Sequence, residues 1–136
     1  MLRQIAIFAE NTKGAMQKVT QVLDDAEVNI ISLVTNDSAE YGIVRMIVDK
    51  TDTAVDAFKR AGYLCRTDVV IGAYVEDTNG GLNKLLKALK TSNVNVDYIY
   101  TSFDRNVGKP IIILHAGSLS AVENSIRSKG FTVADM

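Results

Sequence analysis

Apolar and polar residues along this chain follow one pattern that is written twice. An isoleucine-rich run with Phe8 covers residues 2–9 and predicts a strand, and residues 69–75 read the same way. A turn with Gly14, or Gly80, comes next. Met16, Val19, Val22, Leu23 and Ala26 then recur at i, i+3 and i+4, the period of an amphipathic helix, and Leu82, Leu85, Leu86 and Leu89 repeat it. Residues 29–35 and 95–103 predict a second strand, 36–40 and 104–109 a polar hairpin turn, and 43–48 and 111–115 a third strand. A second helix is expected to begin at Thr53 in one copy and Ser120 in the other. Each hydroxyl is followed three residues later by an acid, Asp56 or Glu123, the pattern of a capping box. Gly62 and Gly130 end these helices as left-handed caps, and short fourth strands are expected at 63–65 and 131–134.

Placing Glu10 above Glu76 aligns the copies at an offset of 66 residues. Identities then recur without a gap: Thr12/Thr78, Gly14/Gly80, Lys18/Lys84, Leu23/Leu89, Val28/Val94, Asn29/Asn95 and Thr35/Thr101. Two residues enter the second copy near Asn106, Val107 and Gly108, after which Gly62-Tyr63 matches Gly130-Phe131. The chain is therefore read as two βαββαβ units, 1–66 and 67–136, joined by Arg66, Thr67 and Asp68. This element order is the α+β, ferredoxin-like arrangement, an antiparallel sheet with helices on one face and its second strand at an edge. One unit of about 66 residues is marginal alone, so two units are expected side by side. Ile111, Ile112, Ile113 and Leu114 leave the third strand of the second copy without a polar side. An apolar bare sheet face of that kind predicts burial against another subunit, hence a homodimer.

Composition narrows the function. Fifteen basic residues stand against 16 acidic ones in a chain of 136, so no field of one sign exists to attract nucleic acid or anionic lipid. Cys65 is alone, which excludes an intramolecular disulfide and a cysteine-based zinc site. His115 is the sole histidine, which argues against a histidine metal cluster or a histidine relay. No basic leader runs into a long apolar stretch, and no uncharged run approaches the ~20 residues of a membrane span. A soluble, cytoplasmic protein with neither nucleic acid nor membrane as partner is the expectation.

With these features in place, the sequence resembles the ACT domain, a small-molecule-binding regulatory module, and more closely the stand-alone tandem-ACT proteins that bind amino acids. The resemblance covers the whole chain. It rests on the βαββαβ order, the Asn-x-x-Gly turn of Asn11–Gly14, and Val28-Asn29-Ile30. Lys13 and Asn79 stand where the family commonly has proline, which leaves the turn less preset. The resemblance implies a non-catalytic protein that senses a free amino acid where two ACT units meet, using the first turn and the start of the second strand. Carried onto this chain, the first copy offers Asn11 with Asn29 and the second Asp77 with Asn95. No cofactor and no metal are implied. The implied partners are the free amino acid, a second copy of the chain, and a metabolic enzyme.

The chemistry of those positions fits a zwitterion. The unpaired amides and partial positive charge of a helix N-terminus hold a carboxylate without a basic side chain. Gly14 and Gly80 let the backbone approach with positive φ. Lys13, Gly14, Ala15 and Met16 supply donors in the first copy, and Asn79, Gly80, Gly81 and Leu82 in the second; Thr12 and Thr78 before them complete the ligand-binding turns. Asn29, Asn95 and Asp77 supply acceptors for the ammonium, Asn11 serves either end, and Ile30 and Val96 sense the side chain. For a ligand of about ten heavy atoms, binding between roughly micromolar and millimolar is expected. Structural roles stand beside these: Lys13 as a solvated lysine, Asp77 as an acid favoured at a helix start, His115 and Cys65 as packed groups, Tyr98 and Tyr100 as an edge-strand pair or a contact.

Other classes fare worse. An RNA-recognition domain shares the element order but needs aromatics on its third strand, which here reads Ile43-Val-Arg-Met-Ile-Val48. No nucleophile with a base, and no pair of convergent acids, recurs in both copies, so an enzyme is not expected. The alternative is a module for dimerisation or for docking on a metabolic enzyme, its ligand site vestigial.

Overall fold

The structure, a computed structural model, describes residues 1–36 and 41–135, with Tyr41 described by its backbone alone. The hairpin turn expected at 36–40 falls, apart from Asn36, outside the described residues. Two compact units make up the chain: Arg3–Asp68, and Val69–Met136 together with Met1–Leu2.

In the Arg3–Asp68 unit the elements are β1 (Leu2–Glu10), α1 (Ala15–Asp25), β2 (Ile30–Asn36), β3 (Tyr41–Val48), α2 (Thr51–Arg60) and the start of β4 (Cys65–Tyr74). β3 lies between β1 and β2 and is antiparallel to both, with Ile5 opposite Met46, Glu10 opposite Tyr41, and Asn36 opposite Ile43. Successive strand residues point to opposite faces, so Ile5, Ile7 and Ala9 share one face with Val44, Met46 and Val48. Val19 and Leu23 of α1, and Ala54 and Phe58 of α2, each four residues apart, pack on that face and close the core. Cys65 is a half-buried thiol against the same cluster.

The Val69–Met136 unit repeats the plan with the rest of β4, α3 (Gly81–Lys90), β5 (Val96–Asp104), β6 (Lys109–Ala116), α4 (Leu119–Ser128) and β7 (Val133–Ala134). Its strands lie in the order β7-β4-β6-β5, all antiparallel, with Ile71 opposite Leu114 and Tyr100 opposite Ile113. Ile71, Ala73, Ile112 and Leu114 pack beneath Leu85, Leu89, Val122 and Ile126 of the helices. This is the α+β, βαββαβ fold expected from the repeat, with β2 and β5 at sheet edges. Met1 joins this unit through its ammonium, which donates to Asp135 Oδ1 at 2.6 Å and holds that carboxyl below its usual range.

Gly62 and Gly130 cap the helices as expected, at φ +88° and +90°. Tyr63 N–H donates to Phe58 O and Gly62 N–H to Lys59 O, and Phe131 and Gly130 do the same to Ile126 and Arg127. These are Schellman bonds, in which a left-handed residue turns the chain back on the last carbonyls.

Four expectations need correction. The capping boxes do not form: α2 starts at Thr51 with Lys50 as its cap, and α4 at Leu119 with Ser118, so Thr53 and Ser120 already lie inside helices. The first turn is instead closed by backbone bonds, Ala54 N–H to Lys50 O and Val122 N–H to Ser118 O. The strand expected at 63–65 is not separate from the one at 69–75. Arg66, Thr67 and Asp68 are strand residues of a continuous β4, with Arg66 Nε 3.3 Å from Asp68 Oδ2 on one side of it, the two-residue spacing of a pleat. β7 is two residues long rather than four. Finally, Ile111, Ile112, Ile113 and Leu114 are at most 2% exposed within the single chain, so they present no bare apolar face. Part of the reason is Gly72, where an added Cβ would lie 2.8 Å from Leu2 Cδ1 and 3.0 Å from Ile111 Cγ2; only hydrogen leaves room for those side chains to close over the strand.

One polar clamp holds the β5–β6 hairpin. Tyr74 Oη donates to Asp104 Oδ2 at 2.6 Å, and Asp104 Oδ1 accepts the amides of Asn106 and Val107. The hydrogen bond to this carboxylate pushes the Tyr74 hydroxyl up to about 12, and Asp104 is lowered by the same bond. A tyrosine raised in this way favours the fold below its ordinary pKa and loses that contribution as pH rises through about 12. The Asp104 share is present above the ordinary carboxylate range and is lost as pH falls through its depressed value. In an alkaline absorbance titration, Tyr74→Phe should remove the tyrosine phase near 12. Retention of that phase in the variant would refute the clamp.

The cores predict a second result. Phe58→Ala should lower unfolding stability by about 3–5 kcal/mol, and Ile126→Ala at the matching position by about 2–5, because both are fully buried. Denaturant titrations of both variants check this.

Candidate functional site

β1 ends at Glu10, and residues 11–14 turn the chain into α1. Gly14 sits at φ +80°, ψ 0°, and Gly80 in the second unit at φ +85°, ψ 1°. Both therefore occupy the left-handed region that L side chains avoid. The turn is closed by Ala15 N–H donating to Thr12 O at 3.1 Å, and by Gly81 N–H donating to Thr78 O at 3.1 Å. The helix ladder starts at Lys18 N–H to Gly14 O, and at Lys84 N–H to Gly80 O. Between these two bonds the amides of Met16 and Gln17, and those of Leu82 and Asn83, have no partner among the described residues. Each unit thus offers two adjacent donors at the positive end of a helix.

The turns differ in how closely the backbone folds back at the first helical residue. An added Cβ at Gly14 or Gly80 meets nothing within 4 Å, whereas one at Gly81 would run into the Glu76 carbonyl oxygen. The first unit carries Ala15 at that position, so its turn is the more open of the two.

Two clefts flank the turn of the Arg3–Asp68 unit. One, of about 280 Å³, is lined by Glu10, Asn11, Thr12, Ala15 and Met16 from the turn and by Thr35, Asn36, Gly42 and Val44 from β2 and β3. The other, of about 440 Å³, is lined by Phe8, Ala9, Glu10, Thr12, Ala15 and Lys18 with Gly62, Tyr63 and Leu64. The Val69–Met136 unit has a cleft of about 200 Å³ at the place matching the larger one, lined by Tyr74, Val75, Glu76, Lys109, Lys129, Gly130, Phe131 and Thr132. Its charges are already engaged. Lys109 Nζ lies 2.9 Å from Glu76 Oε1, and Lys129 Nζ donates to Ala88 O at 2.7 Å and to Thr91 Oγ1.

Of the residues singled out by sequence, Asn11, Thr12, Ala15 and Met16 line the smaller cleft, and Lys13 and Gly14 are exposed on the turn. Asn29 and Ile30 are elsewhere. Asn29 N–H donates to Asp49 Oδ1 at 2.9 Å, and Ile30 faces Val48, whereas Glu10 faces Tyr41. Seven residues of β3 separate those levels, about 23 Å at strand rise. The second unit repeats this: Val96, next to Asn95, faces Ala116, while Glu76 pairs with Lys109 at the other end of β6. Each unit's own fold therefore keeps Asn11 from Asn29 and Asp77 from Asn95. The reason is topological: β1 and β2 run the same way with α1 returning between them, so the end of one and the start of the other lie at opposite ends of the sheet. Asp77, Thr78, Asn79, Gly80 and Leu82 are exposed, and Gly81 is buried.

Sequence reasoning missed Glu10, Lys18 and Thr35 as cleft residues. A signal existed, since all three are identical in the second copy. His115 Nδ1 lies 2.8 Å from Asp97 Oδ2, and its ring stacks on Tyr98 at 5.3 Å between centroids. A register shift between Val96 and Tyr98 turns Asp97 toward it, as bulges re-aim side chains. No cluster of three metal-ligating residues occurs among the described residues, and no helix there is long and apolar enough to cross a membrane.

A fold of two βαββαβ units, each opening its first helix with a left-handed glycine and two amides without a partner among the described residues, defines a class of paired small α+β domains. The chain belongs to the ACT domain family: the family described as an ACT domain pair matches residues 1–131. Among solved structures it is similar to a protein from Bacteroides thetaiotaomicron, at 26% identity and a TM-score of 0.89 over 98% of this chain and 91% of that one. It also shares its fold with the regulatory subunit of aspartate kinase from Thermus thermophilus, at 16% identity and a TM-score of 0.70 over 94% and 92% of the two chains. The same subunit from Thermus flavus matches at 17% identity and a TM-score of 0.64 over 93% and 90%. No curated protein matches the sequence.

The glycines give a direct test. Gly14→Ala and Gly80→Ala should each destabilise by about 1–2 kcal/mol through backbone strain alone. Gly81→Ala should cost more, because its Cβ meets a backbone oxygen that cannot rotate away. Thermal unfolding of the three variants ranks them, and equal losses would contradict the closer turn at Gly81.

Proposed function

We propose that this chain is a non-catalytic regulatory protein that senses a free amino acid at the turn between β1 and α1. Membership of the ACT domain pair family supports this, as does the shared fold with proteins described as aspartate kinase regulatory subunits. The observation that carries it is the pair of free amides of Met16 and Gln17 at the positive end of α1, beside a cleft of about 280 Å³. A ligand carboxylate satisfies those donors without a basic side chain. The Thr35 hydroxyl and the amide oxygens of Asn11 and Asn36, which line the same cleft, accept from the ammonium. The ligand's own functional groups match one end of the cleft and then the other, and no reacting group is needed.

A second reading has its own observation. Leu82 and Leu86 on α3 and Ile99 and Phe103 on β5 are 37%, 38%, 37% and 50% exposed. Apolar side chains left on a helix and an edge strand favour a module that pairs with a second copy or docks on a metabolic enzyme.

A thermal-shift screen of the twenty amino acids separates the two. Sensing requires that at least one raise the melting temperature with concentration, by up to about 2.7 kcal/mol of added stability at a hundredfold excess over Kd. Thr35→Val, which keeps the side-chain shape and removes the acceptor, should weaken that ligand roughly fivefold to tenfold. No shift with any amino acid at millimolar levels leaves the docking module as the function.

A further inference from the structure

The larger cleft of the Arg3–Asp68 unit is lined by two opposite charges, Glu10 and Lys18, that no ion pair among the described residues uses. Both line the space of about 440 Å³ beside β1, on the far side of the turn from β2. The backbone adds a donor. Phe8 N–H reaches Leu64 O at 3.1 Å, so by the two-residue alternation of a strand Glu10 N–H points to the same side, where no carbonyl of the described residues receives it. The remaining wall is apolar: Phe8 is 39% exposed, Leu64 70%, and Tyr63 and Ala15 complete it.

The other unit shows what the same place looks like when it is filled. There the carboxylate of Glu76 is neutralised by Lys109, Lys84 does not line the cleft, and Lys129 is spent on the end of α3. Less than half the volume remains, about 200 Å³ against 440 Å³. From identical Glu and Lys residues in the two copies, the first keeps both on the cleft wall with no ion-pair partner among the described residues, whereas the second pairs its glutamate and leaves its lysine off the cleft.

The geometry points to a second small-molecule site in this unit, distinct from the turn cleft, that takes a zwitterion with a bulky apolar side chain, of the size of leucine or phenylalanine. Lys18 and the Glu10 amide receive its carboxylate, the Glu10 carboxylate receives its ammonium, and Phe8, Tyr63 and Leu64 cover its side chain. Both charges of the ligand contribute, because a ligand with one charge engages only one of Glu10 and Lys18 and forgoes the other charge-assisted hydrogen bond. An apolar side chain is required because a bare zwitterion leaves Phe8 and Leu64 in water.

Calorimetric titration of the full chain tests this with L-leucine, glycine, 3-methylbutylamine and 4-methylpentanoate. Leucine is expected to bind, with the other three at least tenfold weaker. Lys18→Ala and Glu10→Gln should each weaken leucine at least fivefold, and Lys84→Ala should leave it within twofold. All three positions are exposed, and circular dichroism confirms that each variant folds. Glycine binding as well as leucine, wild-type affinity in Lys18→Ala, or no leucine binding would each overturn the proposal. Loss of leucine binding in Thr35→Val with Lys18→Ala unaffected would place the ligand in the turn cleft instead, and overturn it too.

Discussion

A single backbone conformation governs each unit: the left-handed glycine between the first strand and the first helix. Gly14 and Gly80 allow the chain to leave β1 or β4 and enter a helix after four residues in the first unit and six in the second. The abruptness of that turn sets two things at once. It lays Val19 and Leu23, or Leu85 and Leu89, back onto the strand that precedes them, which closes the core. It also spends one helix amide on the turn and leaves the next two without partners among the described residues, because no side chain of the turn reaches back to cap them. A serine or aspartate cap would satisfy one of those amides and stabilise the helix by about 1 kcal/mol. Glycine forgoes that stabilisation and leaves an anion-binding corner in its place.

Duplication explains why the two corners differ. The second unit has drawn its polar groups into structure: Glu76 with Lys109, Lys129 with the end of α3, Tyr74 with Asp104, and Asp97 with His115 beneath the Tyr98 ring. The first unit has no counterpart to most of these. Tyr74 is matched by Phe8 and Lys129 by Ala61, and Glu10 and Lys18 have no ion pair among the described residues. A carboxylate paired at 2.9 Å must lose that partner before it receives a ligand ammonium, whereas a free one has only water to shed. The difference in chemistry between the units therefore follows from which side chains folding has already consumed.

Much of the fold was legible because burial imposes its period on sequence. Ile5, Ile7 and Ala9 alternate, Val19 and Leu23 lie one helical turn apart, and the second copy repeats both patterns, so errors in one copy are corrected by the other. Gly62 and Gly130 were readable for the same reason, since a left-handed cap tolerates few other residues. The failures lie where local chemistry has more than one outcome. Ser and Thr three residues before an acid fit a capping box, but they fit the first helical turn equally well, and backbone bonds from Lys50 and Ser118 decide where the helix begins. Arg66, Thr67 and Asp68 look like a linker by polarity, yet alternation leaves their side chains at a strand's surface. The site was harder still. The Asn11–Asn29 spacing is shared by both copies, but a constant spacing across a strand-helix-strand passage measures the length of the passage, not nearness in space.

That distinction also decides which shared residues carry information about function. Asn29 is constrained by the fold: its amide donates to the Asp49 carboxylate and its carbonyl accepts the Asp49 amide, just before α2. Among the described residues the Glu10 and Lys18 side chains have no such bond, so packing and hydrogen bonding there do not explain them. Exposed charge costs little to keep and little to lose, so exposure alone explains nothing either. What sets these two apart is their position on one cleft wall with opposite signs, next to Phe8 and Leu64, which solvent would otherwise wet. Opposite free charges flanking an apolar wall form a surface whose complement is a molecule carrying both charges and an apolar group.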